Sequence, residues 1–363
     1  MAGSTALPVV DLASPGHEDT LAKAVSLSGP GFFYLKMPSE TIRSLAEENL
    51  QLSREFFALP DAEKDRLKNS EELWYWVRAA ESGFVSRIPS TGAGYRGVSQ
   101  DQNFAEDMRE SFNLGMPETG CHHDSDLCGM GANPWPDAER TPCAGSPWCD
   151  RFRRQTTAYF HACLETCHHL RKEFEKPNCL GPFLHTTEAS DEAFRRTTSL
   201  LGFTHYTFKQ LPVSDATFTR QAFGIRPHQD DGLCTLLYTD GQPGLEYATG
   251  LRGAASDMSL YSGELCRTNM QFSDDVIWEP VPFMAGHWIV NLGTDLFRWA
   301  QQRAALPGSG CRPCKATLHR VVRAPSTMDR YSMPFFYEPN LDARDPTEPY
   351  TRRYEYLIRD TSG

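Results

Sequence analysis

From about residue 198 onward, the chain is a succession of short apolar runs separated by turn signals. This pattern limits the fold more than any other feature of the sequence. The runs lie in SLLGFTHYTF, LCTLLYT, GLEYAT, HWIVNLG, TLHRVVRA and YSMPFFYEP. Runs of this length, rich in aromatic and branched aliphatic residues, are typical of strands. A series of such strands predicts an all-β sandwich or a β-barrel.

The first half of the chain has a different pattern. PVVDL and GPGFFYLK predict short strands, whereas apolar positions spaced three and four residues apart predict helices over 39–57 and 151–175. Residues 115–150 are rich in Pro, Gly, Cys and Trp and form a candidate boundary. The stretches 249–276 and 301–315 are interpreted as insertions between strands.

These changes of pattern predict four segments. They are an N-terminal region over 1–120, a linker with a long helix over 121–195, a β domain over 196–345 and a C-terminal tail over 346–363.

Charge and composition exclude several classes of function. The 363 residues include 36 Lys and Arg against 47 Asp and Glu, for a net charge of −11, which argues against a nucleic-acid partner. No apolar run approaches the roughly 18 residues of a membrane span. The N-terminus lacks the basic region of a secretory signal, and the 11 cysteines are an odd number. We therefore expect a cytoplasmic protein with no membrane association and mostly reduced thiols.

The strongest chemical feature is the RPHQDDGLCTLLY segment. His228 and Asp230 lie two residues apart at the start of an apolar run, and positions i and i+2 of a strand point to the same face. His319 lies on a later predicted strand. Two His and one carboxylate form the facial triad of non-haem Fe(II) oxygenases, which leaves coordination positions open for a bidentate 2-oxoacid and O₂.

Arg330 and Ser332, in RYSMPFFYEPN, form a second pair with the same spacing. A guanidinium presents a planar fork to a carboxylate, and the serine hydroxyl adds a donor. Each pair taken alone has a simpler structural interpretation. His-x-Asp is also a strand histidine beside a turn aspartate, and Arg-x-Ser is also a surface arginine on a strand.

The order His228-x-Asp230, His319, Arg330-x-Ser332 resembles that of the iron(II)- and 2-oxoglutarate-dependent dioxygenases, in the branch similar to isopenicillin N synthase. PVVDL, GPGFFYLK and SREFFALPDAEKDRL resemble the family's N-terminal region. HWIVNLGTDLFRW resembles its strand before the distal histidine. The resemblance extends from about residue 7 to residue 345.

The resemblance implies a mainly β fold with α-helices: a double-stranded β-helix (jelly-roll) core with an N-terminal helical region packed outside. It implies that His228, Asp230 and His319 bind Fe(II), and that Arg330 and Ser332, assisted by Tyr206, bind the distal carboxylate of 2-oxoglutarate. The family reaction consumes O₂ and 2-oxoglutarate, releases succinate and CO₂, and hydroxylates, desaturates or cyclises a small-molecule substrate.

By analogy with family members whose N-terminal region covers the barrel mouth, the candidate substrate contacts are Tyr95, Arg96, Phe104, Arg109 and Phe112. Three departures from the family pattern leave the subfamily open, one of them Thr204 where many members carry Asn. Asp231 replaces an aromatic residue that usually follows the iron aspartate, and Thr294 replaces an aspartate after Asn-Leu-Gly.

Two other functions remain open at this stage: an Fe(II)-dependent oxidase of the same fold that does not use 2-oxoglutarate, and a non-catalytic barrel that binds a small ligand. Cys311-x-x-Cys314 has no second CxxC at suitable spacing, so a metal or redox role for it is also open. The sequence does not give the substrate, the type of oxidation or the oligomeric state.

Overall fold

Two β-sheets of unequal size dominate the structure, which is a computed structural model. It describes residues 6–68, 74–78, 85–89, 94–97, 109–117, 133–184, 191, 193–194, 197–207, 223–251, 276–322, 329–340 and 343.

Fourteen strands are described. They are β1 Val9–Val10, β2 Phe32–Lys36, β3 Trp74–Arg78, β4 Val85–Pro89, β5 Gly94–Arg96, β6 Arg109–Leu114, β7 Leu200–Tyr206, β8 Phe223–His228, β9 Cys234–Thr239, β10 Leu245–Leu251, β11 Val276–Pro280, β12 His287–Leu292, β13 His319–Val322 and β14 Arg330–Tyr337. The helices are α1 His17–Val25, α2 Glu40–Phe57, α3 Asp61–Lys64, α4 Gly145–Phe174 and α5 Thr294–Ala304, with a short 3-10 turn at Asp65–Leu67.

The larger sheet has the strand order β1-β2-β12-β9-β14-β7-β6-β5, and the smaller has the order β11-β10-β13-β8. From β7 to β14 the chain passes repeatedly from one sheet to the other, with β7, β9, β12 and β14 in the larger sheet and the rest in the smaller. Eight strands arranged in this way form a jelly roll, as predicted. Strands β3 and β4 form a separate hairpin.

The N-terminal part of the chain supplies strands as well as helices. β1 and β2 extend the larger sheet beside β12, and β5 and β6 extend it beside β7. The expectation of a helical region packed outside the barrel is therefore incomplete, because both edges of the larger sheet are built from this part of the chain.

Helices cover the outer face of the larger sheet, which explains why its strands are continuous apolar runs. Every residue of β7 is buried, because one face of the strand meets the helices and the other faces the barrel interior. Phe56 of α2 stacks on Phe112 of β6 with ring centroids 4.4 Å apart. Trp288 of β12 donates a hydrogen bond of 2.9 Å to the Tyr159 hydroxyl of α4. A second apolar cluster, which includes Phe32, Tyr247 and Val321, lies between the two sheets.

All six apolar runs from which the β domain was predicted contain strands, and two strands were not predicted. β8 precedes the His-x-Asp segment, and β11 begins at the end of the predicted insertion 249–276, of which residues 252–275 lie outside the described residues. The segment after β12 forms helix α5, whose buried residues Asp295, Leu296, Trp299 and Ala300 follow helical spacing. The second predicted insertion, 301–315, begins within this helix. In the part of the chain that the structure describes, no helix is both long and apolar enough to span a membrane.

A buried ion network joins the N-terminal helices to the larger sheet. Glu110 of β6 accepts hydrogen bonds from Lys64 at 2.8 Å and from Tyr95 at 2.6 Å, and its other oxygen lies 2.7 Å from Nδ1 of His205. Burial alone would raise the pKa of Glu110, but hydrogen bonds from His205, Lys64 and Tyr95 outweigh it and lower the pKa below the ordinary 4.5. Glu110 therefore stays ionised despite its burial, and its contacts join β6 to α3, β5 and β7.

We expect Glu110→Gln to lower the free energy of unfolding by about 3 kcal/mol, because it leaves Lys64 buried without its main counter-charge. The stabilisation from the ionised carboxylate is fully present above pH 4.5 and is lost as the pH falls through the lower folded-state pKa. The variant should therefore have a shallower dependence of stability on pH below 4.5, measured by urea denaturation. Glu47→Gln, at an exposed ion pair with Arg43, is the control. Equal losses in the two variants would contradict this role.

Candidate active site

His228, Asp230 and His319 converge on one point between the two sheets. Their ligand atoms all lie within 4.8 Å of one another. Asp230 Oδ1 is 3.5 Å from His228 Nε2 and 3.6 Å from His319 Nε2. These separations are too long for good hydrogen bonds. They are short enough for the three atoms to reach one ion at about 2.1 Å each.

Local structure explains the convergence. His228 is the last residue of β8, and the register of the smaller sheet places it directly opposite His319 of β13. Asp230 lies in the turn between β8 and β9, so the prediction that His228 and Asp230 share a strand face is wrong. The turn continues through Gly232, whose φ of 74° is left-handed and favours glycine. The chain crosses here from β8 of the smaller sheet to β9 of the larger sheet, and the turn brings Asp230 Oδ1 within 3.6 Å of both imidazoles.

Backbone carbonyls set the protonation of both imidazoles. Nδ1 of His228 lies 2.8 Å from the carbonyl oxygen of Arg226, and Nδ1 of His319 lies 3.1 Å from that of Thr317. A carbonyl only accepts, so each Nδ1 carries the proton and each Nε2 presents its lone pair to the site.

The second carboxylate oxygen of Asp230 is held by the larger sheet. Oδ2 accepts a hydrogen bond of 2.6 Å from Thr235 Oγ1 on β9 and one of 2.8 Å from Asn291 Nδ2 on β12. Oδ1 is thereby directed at the two imidazoles. Thr235 and Asn291 were not predicted as site residues, because polar residues within apolar strands carry no motif. Their only signal is their position on strands that enclose the predicted ligands.

Burial and mutual charge shift the three pKa values in different directions. Burial, assisted by the charge of His319, lowers the pKa of His228. Burial would raise the pKa of Asp230, but the two imidazoles, His319 foremost, hold it well below the ordinary 3.8. Burial would lower the pKa of His319, but the charge of Asp230 outweighs this and raises it. The carboxylate therefore stays ionised at neutral pH, and a cation bound here competes with protons for the histidines.

A cavity of about 510 Å³ contains the triad and extends to Arg330, Ser332 and Tyr206. Arg330 is 2% exposed, and its Nε and Nη1 atoms have no hydrogen-bond partner in the part of the chain that the structure describes. Its guanidinium lies 4.8 Å from the centroid of the Tyr206 ring. A buried guanidinium with two unpaired donors is costly, and a carboxylate in the cavity would satisfy both.

The predicted substrate contacts separate into two groups. Arg96 and Arg109 line the cavity. Tyr95 and Phe112 point into the core on the other side of the sheet, where Tyr95 binds Glu110 and Phe112 stacks on Phe56. Strand alternation is the reason, since Arg109 and Phe112 lie three positions apart on β6 and therefore point to opposite faces. Phe104 lies outside the described residues.

Two of the departures from the family pattern, Asp231 and Thr294, contact each other. Thr294 Oγ1 donates a hydrogen bond of 3.1 Å to Asp231 Oδ1, and the Thr294 amide donates one of 2.9 Å to the carbonyl of Asp230. The start of α5 thus holds the turn that carries the site aspartate.

A second group of possible ligand atoms, at His17, Glu18 and Glu173, is already neutralised by a lysine. Lys176 Nζ lies 2.6 Å from Glu18 and 2.7 Å from Glu173, so this group is an ion-pair network. Cys311 is partly buried, and Cys314 is fully buried at the isolated bridge to Ser26. Both are free thiols, and burial raises the pKa of each.

The donor set suits a divalent iron ion. Two neutral imidazole nitrogens and one carboxylate oxygen, all on one side of an open cavity, match the ligand types and the open positions of the facial triad. Arg330 at the far end of the same cavity matches a dicarboxylate that reaches from the ion to the guanidinium.

Comparisons with known proteins agree with this geometry. A family model described as the N-terminal region of non-haem dioxygenases in morphine synthesis matches residues 7–138. The model of the 2OG-Fe(II) oxygenase superfamily matches residues 257–339. A 2-oxoglutarate-dependent dioxygenase of Monascus ruber is 27% identical over 350 residues, which cover 93% of this chain and 86% of that protein. Another from Aspergillus niger is 25% identical over 344 residues, covering 92% and 79%.

The chain belongs to the iron(II)- and 2-oxoglutarate-dependent dioxygenases. It is similar in fold to a full-length Neurospora crassa protein solved in complex with alpha-KG, with a TM-score of 0.64, 18% identity and coverage of 98% and 96%. It is also similar to JOX2 in complex with 2OG, Fe and JA, with a TM-score of 0.58, 20% identity and coverage of 95% and 78%. These matches confirm the double-stranded β-helix.

Membership of this family identifies the chain as a dioxygenase that uses Fe(II), 2-oxoglutarate and O₂ on a small molecule. It favours this function over a direct oxidase and over a non-catalytic barrel.

We expect Thr235→Val to weaken Fe(II) binding about tenfold, because the variant keeps the shape of the side chain but loses the hydrogen bond that directs the Asp230 carboxylate. Anaerobic Fe(II) titration monitored by calorimetry measures the change. Thr249→Val removes a hydroxyl from β10 that donates to the carbonyl of Ile277, away from the site, and is the matched control. Unchanged affinity in the Thr235 variant would show that Asn291 alone orients the carboxylate.

Proposed function

We propose that His228, Asp230 and His319 hold Fe(II), that Arg330, Ser332 and Tyr206 hold the distal carboxylate of 2-oxoglutarate, and that a small organic substrate is oxidised in the same cavity. The observation that carries this proposal is the continuity of that cavity. One space of about 510 Å³ has the His-Asp-His group on one wall and a buried guanidinium with two unpaired donors on another.

Strand register supports the proposed carboxylate site. Arg330 of β14 lies opposite Tyr206 of β7, and Ser332 lies opposite Thr204. All four residues line the cavity. Tyr331, between Arg330 and Ser332, points to the other face of the sheet and stacks on His205 with ring centroids 4.5 Å apart. The alternation therefore directs the guanidinium and the serine hydroxyl together into the cavity.

The proposed roles follow from these positions. Bound Fe(II) supplies oxygen activation coupled to the conversion of 2-oxoglutarate to succinate and CO₂. Thr235 and Asn291 hold the Asp230 carboxylate so that one oxygen stays directed at the metal position. Arg330 fixes the distal end of 2-oxoglutarate, and Ser332 adds a hydroxyl beside it. Apolar side chains at Ile225, Leu237 and Val321 line the wall and limit the access of water.

We further propose that the substrate is a free small molecule and not a nucleic acid, because the net charge of −11 disfavours a polyanion. A cytoplasmic location and the segment boundaries 1–120, 121–195, 196–345 and 346–363 remain predictions from the sequence.

Asp230→Ala should abolish Fe(II) binding and turnover, because it removes the only carboxylate of the ligand set. The first experiment is an anaerobic titration of the metal-free protein with Fe(II) and then 2-oxoglutarate, followed by the visible charge-transfer absorption of the chelate. A saturating band in the native protein and none in the variant would support the proposal. A band of full intensity in the variant would refute the assignment of Asp230.

Arg330→Gln should weaken 2-oxoglutarate binding about tenfold to a hundredfold while Fe(II) affinity stays unchanged, since it removes a charged hydrogen-bond donor from the far end of the cavity. Arg140→Gln, at a half-exposed position outside the cavity, makes the same change in charge and is the control. Native 2-oxoglutarate affinity in the Arg330 variant would refute this site. Succinate release in air, measured per mole of O₂ consumed, tests the coupled reaction independently.

A further inference from the structure

A second arginine faces the same cavity at the level of Arg330. The register of the larger sheet places Arg330 of β14 opposite Tyr206 of β7, and Tyr206 opposite Arg109 of β6. All three residues line the cavity. Adjacent strands lie about 4.8 Å apart, so the backbones of the two arginines are about 10 Å apart with Tyr206 between them. One small carboxylate bound flat against Arg330 leaves the Arg109 position for another group.

Arg109 has no carboxylate within salt-bridge distance among the residues that the structure describes. The acidic groups of the cavity wall have other contacts: Asp230 belongs to the His-Asp-His group, Asp231 accepts from Thr294, and Glu338 accepts from Thr198. A guanidinium directed into a partly enclosed cavity, with no counter-charge from the described part of the chain, favours an anionic ligand.

Arg96 of β5 adds a second positive charge beside Arg109. It lies opposite Ser111, and both residues line the cavity with Arg109. Arg96 is exposed at this edge of the cavity, and partial desolvation together with the positive charge of Arg109 lowers its pKa. Two neighbouring guanidinium groups make this part of the cavity wall positive, which favours an anion.

The remaining wall indicates the rest of the ligand. Ser111 and Asn113 continue the inward face of β6 beyond Arg109 and add a hydroxyl and an amide. Six residues along β14 from Arg330, Phe336 lies opposite Leu200 of β7 and next to Thr235 of β9, and the apolar side chains of Phe336 and Leu200 line the cavity there together with Glu338. A ligand that fits both ends has a carboxylate at one end and an apolar body at the other.

We propose that the substrate is a small organic acid whose carboxylate is bound by Arg109 together with Arg96, while its apolar body lies against Leu200 and Phe336. This inference rests on the proposed function, because it requires iron at the His-Asp-His group and 2-oxoglutarate at Arg330, with the substrate beside them along β6 and β7. It adds the substrate class and the residues that select it.

The test uses the native protein loaded anaerobically with Fe(II) and 2-oxoglutarate. The probes are cinnamate and decanoate, each compared with its primary amide, and calorimetry measures the dissociation constants. At least one acid should bind at least about tenfold more tightly than its amide. This ratio corresponds to the weakest contribution expected of a hydrogen bond to a charged group. Arg109→Gln should remove this preference, and Arg140→Gln should retain it.

Three results would overturn the inference. They are equal binding or no binding of acids and amides by the native protein, an unchanged preference in Arg109→Gln, and a loss of 2-oxoglutarate affinity in Arg109→Gln as large as that in Arg330→Gln. The last result would make Arg109 a second contact for 2-oxoglutarate. Failure of the proposed function is distinguishable, because it appears as absent 2-oxoglutarate binding in the native protein before any acid is added.

Discussion

The carboxylate of Asp230 is the point on which the site depends. One oxygen faces two imidazoles from the smaller sheet, and the other accepts hydrogen bonds from Thr235 and Asn291 of the larger sheet. A group held from both sheets fixes their separation at this end of the barrel as well as the direction of its own lone pairs. The two imidazoles, His319 foremost, keep the pKa of Asp230 low despite burial, so the charge needed to hold a cation is present before one binds.

Side chains of the three strands β6, β7 and β14 alternate between the cavity face and the helix-covered face of the larger sheet. Arg109, Tyr206 and Arg330 point into the cavity. The residues next to them along each strand, Glu110, His205 and Tyr331, form contacts on the helical side. The buried ion network on that side ties β6 and β7 to α3 through Lys64. Packing outside the barrel thus holds the register that aligns the two arginines inside it.

Much of this arrangement was predictable from local patterns. The strand-forming runs of β7, β9 and β12 are apolar because both faces of the larger sheet are covered, and the pattern alone predicted them. The ligand residues were identified by type and order. The position of Asp230 in a turn and the burial of Tyr95 and Phe112 in the core were not predicted, because alternation along a strand has meaning only when the strand boundaries are known.

The sequence by itself determined the family, the β-rich fold and the chemical types of the ligands, because these depend on local periodicity and on motifs a few residues long. The tertiary structure alone decided which residues share the cavity. His228 meets His319 through the register of the smaller sheet, Asp230 meets Thr235 and Asn291 across the two sheets, and Arg109 aligns with Arg330 two strands away. Each of these contacts joins segments whose pairing depends on strand order, and no local pattern in the chain records that order.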